Sequence, residues 1–218
     1  MTETTTTTTT GIPRIGDKAP NFTAATTQGE IDFHRWAGDK WVLLFSHPAD
    51  FTPVCSTELG EFARRQAEFD ELGTRLIGIS IDSVHSHLAW RENLAEKMGV
   101  TIGYPLIADH NGAVAQKFGM LHPGESATVT VRAVFFIDPK KTIRAIIYYP
   151  LNIGRNIDEV KRTLQALQTA DGNGVACPVN WKPGEKVIVP PPKTEKEVAE
   201  RKGAGHEMVD FYLCKKSL

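Results

Sequence analysis

The chain is poor in cysteine, in charge of one sign and in long apolar runs, and each shortage excludes a class of protein. Three cysteines in 218 residues, Cys55, Cys177 and Cys214, are too few, and odd in number, for a disulfide framework. In a reducing compartment such sulfurs are either packed and inert or chemically employed. Positive and negative side chains nearly cancel, leaving a formal charge of -1, and there is no long basic run. Nothing argues for electrostatic binding of nucleic acid or for a polybasic membrane anchor. No stretch approaches the roughly 18 apolar residues that span a bilayer. The start, Met1-Thr2-Glu3 and then threonine from Thr4 to Thr10, lacks the cationic and apolar parts of a secretory leader. It reads as a disordered, Thr-rich tail over 1–10, and the expected compartment is the cytoplasm. There is no internal repeat.

What is present is the patterning of one globular domain with an appendage. Trp41-Val42-Leu43-Leu44-Phe45 is short and apolar enough for a buried strand, and Leu76 to Ile81 is a second. Short strands are expected near Phe22-Thr23, Ile31-Phe33 and Tyr104-Ala108. Helices are expected over Thr52 to about Leu72, Val84 to Met98 and Ala113 to Phe118. Val131–Ile137 and Ile143–Tyr149 read as a hairpin, and Asn156, with Glu159 in the reciprocal capping position, opens a helix to about Leu167. Alternating β and α followed by a hairpin and a helix implies an α/β domain, layered on a mixed central sheet, over 11–170. Asp171-Gly172-Asn173-Gly174 reads as a linker and Pro190-Pro191-Pro192 as a stiff extended segment. The piece from 171 to 218 holds too little apolar surface for its own core. It is expected to wrap the main domain or a partner subunit as an extension arm.

The chemistry is expected at Cys55. Thr52 is a good N-cap and Pro53 fits the first helical position, which puts Cys55 in the first turn of a helix that follows a buried strand. Backbone N–H groups there lack intrahelical partners, and with the helix dipole they favour an anion. A thiolate is such an anion. The gain is bounded: a thiol with pKa about 8.5 is a few per cent ionised at pH 7, so full ionisation contributes at most about 2 kcal/mol. A competent enzyme needs further groups that stabilise charge on a departing atom. Taken singly, Thr52 is a cap, Glu58 a routine first-turn acid and Cys55 a small buried hydrophobe.

Pro48-Ala49-Asp50-Phe51-Thr52-Pro53-Val54-Cys55 resembles the Pro-x-x-x-Thr-x-x-Cys active-site loop of the peroxiredoxins. Phe45 to Pro48 and Ser56 to Gly60 around it look like the one-cysteine subgroup of that family. Thr130-Val131-Arg132-Ala133-Val134 resembles the strand that carries the family's active-site arginine. Pro178-Val179-Asn180-Trp181 with Val187 to Pro191 resembles the subgroup's C-terminal arm. The resemblance implies a thioredoxin-like three-layer sandwich and reduction of hydrogen peroxide and organic hydroperoxides through a Cys55 sulfenic acid. It implies that Thr52 hydrogen-bonds the peroxide and that Arg132 stabilises the thiolate and the developing oxyanion. Pro48 would shield the sulfur from water, Glu58 would orient the arginine and His47 would line the pocket. No cofactor or metal is expected. An external thiol, a thioredoxin-like protein or glutathione, would serve as reductant, and the assembly would be a homodimer or a larger ring such as a decamer.

Some relatives carry a resolving cysteine in an aromatic-rich C-terminal arm, and Cys214, after Phe211-Tyr212-Leu213, resembles it. The expectation is that Cys214 resolves Cys55 of a partner subunit, and that Cys177 is a packed residue before Pro178. Some relatives are also phospholipases through a serine where this chain has Lys40, so no lipase activity is expected. A thioredoxin-type disulfide exchanger needs Cys-x-x-Cys, and Thr52 stands where the second cysteine would be. A metal protein is weak, because His85-Ser86-His87 reads as a polar helix edge without a ligand cluster. The non-enzymatic alternative is a holdase chaperone or redox-relay assembly with little turnover of its own.

Overall fold

The computed structural model describes residues 12–218; the threonine tail expected over 1–10 lies outside the described residues. The chain divides into two compact units, one up to Ile157 and one from Asp158. In the first, β1 (Thr23–Thr26) and β2 (Gly29–Asp32) form a hairpin, followed by α1 (Phe33–Ala37) and β3 (Trp41–Ser46). Then come α2 (Pro53–Arg64), α3 (Gln66–Glu71), β4 (Thr74–Ser80), α4 (Val84–Met98), β5 (Leu106–Ala108) and α5 (Ala113–Lys117). The unit closes with the hairpin β6 (Arg132–Ile137) and β7 (Ile143–Tyr149). The strands form one mixed seven-stranded sheet in the order β2-β1-β5-β4-β3-β6-β7. β3, β4 and β5 are parallel, whereas β6 runs antiparallel to β3.

The apolar run of β3 follows from its central place, since a strand covered on both faces has no polar side to alternate with. Val42 and Leu44 share one face with Ile77, Ile79, Ile107 and Phe135, packed on Phe33 of α1 and on Val114 and Ala115 of α5. On the opposite face Phe45 stacks on Phe62 of α2, with ring centroids 4.2 Å apart. Helices therefore cover both faces, in the thioredoxin-like layering. At Gly78 in the middle of β4 a Cβ would lie 2.6 Å from Leu106 Cδ2, so a side chain there would make Leu106 shift.

Three local expectations change. The helix expected over 52–72 is two helices, parted at Arg65, where φ is -103° and ψ is 7°. No glycine or proline marks that break, and beyond it Phe69 is buried beside Phe62. The strand expected near Ile31-Phe33 ends at Asp32, and the five-residue α1 that begins at Phe33 was not expected. It is too short for a period to show, although Asp32 caps it by accepting from the Arg35 N–H. Asp171 to Asn173, expected as linker, are the last turn of α6 (Ile157–Asn173). Gly174, at φ +59°, follows in the left-handed conformation that ends a helix.

The second unit continues with β8 (Val187–Val189), α7 (Glu195–Lys202), β9 (Glu207–Asp210) and β10 (Leu213–Lys216). The three strands pair in the order β8-β10-β9. This segment carries a small apolar cluster, Val175, Trp181 and Val187, with Ala166 of α6 packed against it. Among the described residues no helix is long and apolar enough to cross a membrane.

Candidate active site

The end of β3 and the start of α2 bring the sequence-predicted residues into one place. Thr52 is the N-cap of α2 and Pro53 its first residue, so Cys55 occupies the third helical position, fully buried. The first helical bond, from the Ser56 N–H to the Thr52 carbonyl, leaves the N–H groups of Val54 and Cys55 ahead of the ladder. Thr52 differs from expectation in one respect: its hydroxyl makes no side-chain cap bond. It donates backward to the Ala49 carbonyl at 2.8 Å, so its oxygen lone pairs remain as acceptors. Pro48 is buried in the same loop.

Arg132, first residue of β6, lies one strand away from Cys55 and across a sequence gap of 77 residues. Its Nη1 donates to Cys55 Sγ at 3.3 Å and to Glu58 Oε2 at 2.7 Å. Its Nε and Nη2 donate to the Leu151 carbonyl at 3.1 and 2.6 Å. Every edge of the guanidinium is thus held, and one N–H is aimed at the sulfur. Glu58, one helical turn after Cys55, is buried and holds two arginines. Arg155 reaches it through its backbone N–H at 2.7 Å, Nε at 2.9 Å and Nη2 at 2.8 Å. Burial pushes the Glu58 carboxyl up, but the Arg155 charge and hydrogen bonds, with Arg132, bring it below its ordinary value. A bidentate pair of this kind fixes direction as well as charge.

Arg155 escaped the sequence reading. It sits in a loop after β7 with no flanking motif. Its only signal is a second arginine near the end of the hairpin. Its guanidinium also lies 5.4 Å from the Phe45 ring and 5.7 Å from the Phe62 ring, which ties the site to the stacked core. Ser46 and Thr130 were missed as well. Ser46 Oγ donates to the Val131 carbonyl and accepts from the Ala133 N–H, and Thr130 Oγ1 donates to the His47 carbonyl. These bonds lock the end of β3 to the start of β6, and so Cys55's loop to Arg132.

His47 is buried beside this loop, but its ring turns to Asp50, with Nε2 2.9 Å from Oδ1. His87, expected on a polar helix edge, is fully buried on α4 and faces the same carboxylate, with Nδ1 2.8 Å from Oδ2. That expectation fails because α4 turns this residue toward β5, where the Ile107 carbonyl meets Nε2 at 3.1 Å. The three side chains bring potential ligand atoms within 4.8 Å of one another, the one such grouping among the described residues. One nitrogen of each ring lies at hydrogen-bond distance from an Asp50 oxygen, while His87 Nε2 faces the Ile107 carbonyl. The arrangement is that of a proton-bridged cluster.

The remaining sulfurs lie in the second unit. Cys214 is buried in β10, with its thiol donating to the Asp210 carbonyl at 3.4 Å. Cys177 is half-buried and donates to the Ala166 carbonyl at 3.5 Å. Burial pushes its thiol up, against the opposing charge of Arg162. All three cysteines are free.

The AhpC/TSA family matches residues 15–146 of the chain, and the C-terminal domain of 1-Cys peroxiredoxin matches residues 166–204. A peroxiredoxin of Aquifex aeolicus is 51% identical over 217 residues, covering 95% of this chain and 98% of the relative. A peroxiredoxin of Methanosarcina mazei is 50% identical over 214 residues, covering 94% and 98%. Among solved structures, a yeast mitochondrial 1-Cys peroxiredoxin, studied for thiol resolution via glutathione and thioredoxin systems, superposes with a TM-score of 0.87 at 42% identity, covering 95% of this chain and all of that one. A cysteine-to-serine mutant of peroxiredoxin 6 of Arenicola marina gives 0.86 at 37%, covering 95% and 98%.

Proposed function

The chain belongs to the AhpC/TSA family and is a thiol-dependent peroxiredoxin, and on that premise we propose that Cys55 is its peroxidatic sulfur, served by Thr52 and Arg132. The observation that carries this reading is the Arg132 Nη1 donor 3.3 Å from Cys55 Sγ, on a guanidinium held by Glu58. The sulfur anion attacks one peroxide oxygen along the O–O axis. The S–O bond forms as O–O breaks, sulfur is oxidised to the sulfenic acid, and the departing oxygen leaves as water or an alcohol once protonated.

Negative charge passes from sulfur to the departing oxygen in that step. Arg132 serves both ends, because its fixed donor stabilises the ground-state anion and the charge spreading away from it. The Thr52 oxygen, having given its proton to Ala49, accepts from the peroxide O–H and sets the line of attack. Pro48 excludes water from the sulfur, and Glu58 is a positioning residue for the arginine. His47 belongs to the loop wall.

The sulfenic acid needs a thiol to reduce it. We assign that role to an external thiol, glutathione or a thioredoxin-like protein. Cys214 of a partner subunit is the competing source, and its burial means β10 must leave its strand partners first. The segment 171–218 is proposed as the arm through which copies assemble into a dimer or ring. Peroxide consumption by the parental chain and by Cys55→Ser and Cys214→Ser, each with glutathione and with a thioredoxin system, tests these points together. Loss of turnover only in Cys55→Ser supports a Cys55 cycle with an external reductant. Turnover surviving in Cys55→Ser would sink the assignment, and a Cys55–Cys214 bridge in peptide maps of peroxide-treated chain would move resolution to Cys214.

A further inference from the structure

The cluster His47–Asp50–His87 has no part in the chemistry just described, yet it is fully closed to water at both histidines. Its protonation follows from its partners, because a carbonyl and a carboxylate can only accept. His87 Nε2 faces the Ile107 carbonyl at 3.1 Å, so Nε2 carries a proton. His87 Nδ1 faces both Asp50 oxygens, at 3.0 and 2.8 Å, so the ring bridges the loop carboxylate to β5. Burial pushes the Asp50 carboxyl up, but hydrogen bonds from His47 and His87 outweigh it and hold the group well below the carboxylate range. His47 donates from Nε2 to Asp50, its buried Nδ1 has no partner, and burial keeps its ring neutral.

A buried polar cluster is a weak source of net stability, and a specific geometry is a better reason for one. Here the geometry reaches the reacting site in few bonds. The Asp50 backbone N–H donates to Asp82 Oδ2 at 3.0 Å, and Ser80 Oγ holds the same oxygen at 2.6 Å. Asp50 is thus fixed by β3 through His47, by α4 through His87 and by the loop after β4 through Asp82. The peptide group just before it carries the Ala49 carbonyl, which receives the Thr52 hydroxyl proton. Where Asp50 sits decides where that carbonyl points, and so which way the Thr52 lone pairs face. We propose that His87 is a positioning residue of the peroxidase reaction, holding Asp50 by hydrogen bonds and, through the Ala49 carbonyl, setting the direction of the Thr52 hydroxyl. The inference rests on the peroxidase reading of Cys55.

The test compares the rate constant for Cys55 oxidation by hydrogen peroxide with that for Cys55 alkylation by iodoacetamide, which needs the sulfur but not the peroxide alignment. His87→Leu should slow oxidation by about ten- to a hundredfold, the scale of a misplaced catalytic contact, and leave alkylation within about twofold. His87→Asn, whose amide can still donate to Asp50, should recover most of the loss. In a Thr52→Val background the His87→Leu change should cost little more, because residues that act as one unit are not additive. If His87→Leu leaves an orphaned carboxylate that prevents folding, Asp50→Asn/His87→Leu removes the carboxylate together with its partner and should fold while still oxidising slowly. A folded His87→Leu chain oxidised at the parental rate would overturn the proposal. So would additivity with Thr52→Val, or one equivalent of tightly bound divalent metal in the purified parental protein. A parental chain that alkylates at Cys55 but ignores peroxide would instead sink the peroxidase reading beneath it.

Discussion

Cys55 and Cys177 each have an arginine for a neighbour, and the difference between them lies in where each guanidinium points its donors. At Cys55 the guanidinium of Arg132 donates directly to Sγ at 3.3 Å, held in place by Glu58 and the Leu151 carbonyl. At Cys177 the guanidinium of Arg162 is committed to both oxygens of Glu159, at 2.6 and 2.7 Å, and to the Trp181 carbonyl. The Cys177 thiol keeps its proton by donating to Ala166, and burial outweighs the distant positive charge. Proximity of charge is common to both. Only Cys55 has a donor with its direction fixed toward the sulfur, at the mouth of a helix whose first N–H groups precede the ladder.

The comparison breaks most visibly if the proposed nucleophile is exchanged. Cys55→Ser should lower peroxide turnover by about a thousandfold or more, as loss of a central catalytic group does, while Cys177→Ser should leave it within about twofold in the same coupled assay. Next in size is the donor. Arg132→Met should cost about a hundredfold in the rate of Cys55 oxidation, the scale of one lost oxyanion donor. Arg162→Met should not change that rate, and stopped-flow fluorescence separates the two.

Glu58 sharpens the point, because it touches no substrate. Glu58→Gln leaves two buried guanidinium groups short of one negative charge, and should destabilise the chain by about 3 kcal/mol in urea unfolding. Its titration carries a sign. The folded carboxyl lies below its ordinary value of 4.5, so below that value the unfolded chain binds the extra proton first. The contribution of Glu58 is then fully present above about pH 4.5 and is lost as pH falls through the lower, folded value. Unfolding midpoints should drop on acidification through that window, and Glu58→Gln should flatten the fall. The smallest effect concerns sulfur reactivity without peroxide. In the parental chain at neutral pH, iodoacetamide should label Cys55 before Cys177, by peptide mass mapping, in line with the raised thiol of Cys177.

Much of the fold was legible because β3, β4 and α4 carry local signals strong enough to survive their surroundings. An unbroken apolar run bounded by a turn reads as a central strand, and α4 begins at Ser83 and ends at Gly99, a capping serine and a left-handed glycine. The break at Arg65 was not legible, since no residue there forbids a helix. Nor was the last turn of α6, because Asp171, Gly172 and Asn173 are turn formers by composition. Within the site, the helix-start position of Cys55 could be read from Thr52 and Pro53. Arg132 came only from the likeness of its strand, and Arg155 from nothing local. His87 was misjudged because helical spacing gives its neighbours on α4, not the β5 carbonyl and the loop carboxylate that α4 meets.

The sequence by itself determined where a helix begins after a buried strand, and so that a sulfur would sit among free backbone donors. Those are short-range consequences of caps, proline and apolar patterning, which act over a few residues. Only the tertiary structure decided which guanidinium reaches that sulfur, which carboxylate steadies it, and which histidine holds the loop beside it. These partners are brought together by sheet order and helix packing, across 74 residues between Glu58 and Arg132 and 37 between Asp50 and His87. A hydrogen bond depends on direction within a few tenths of an ångström, and no local pattern in a chain encodes that.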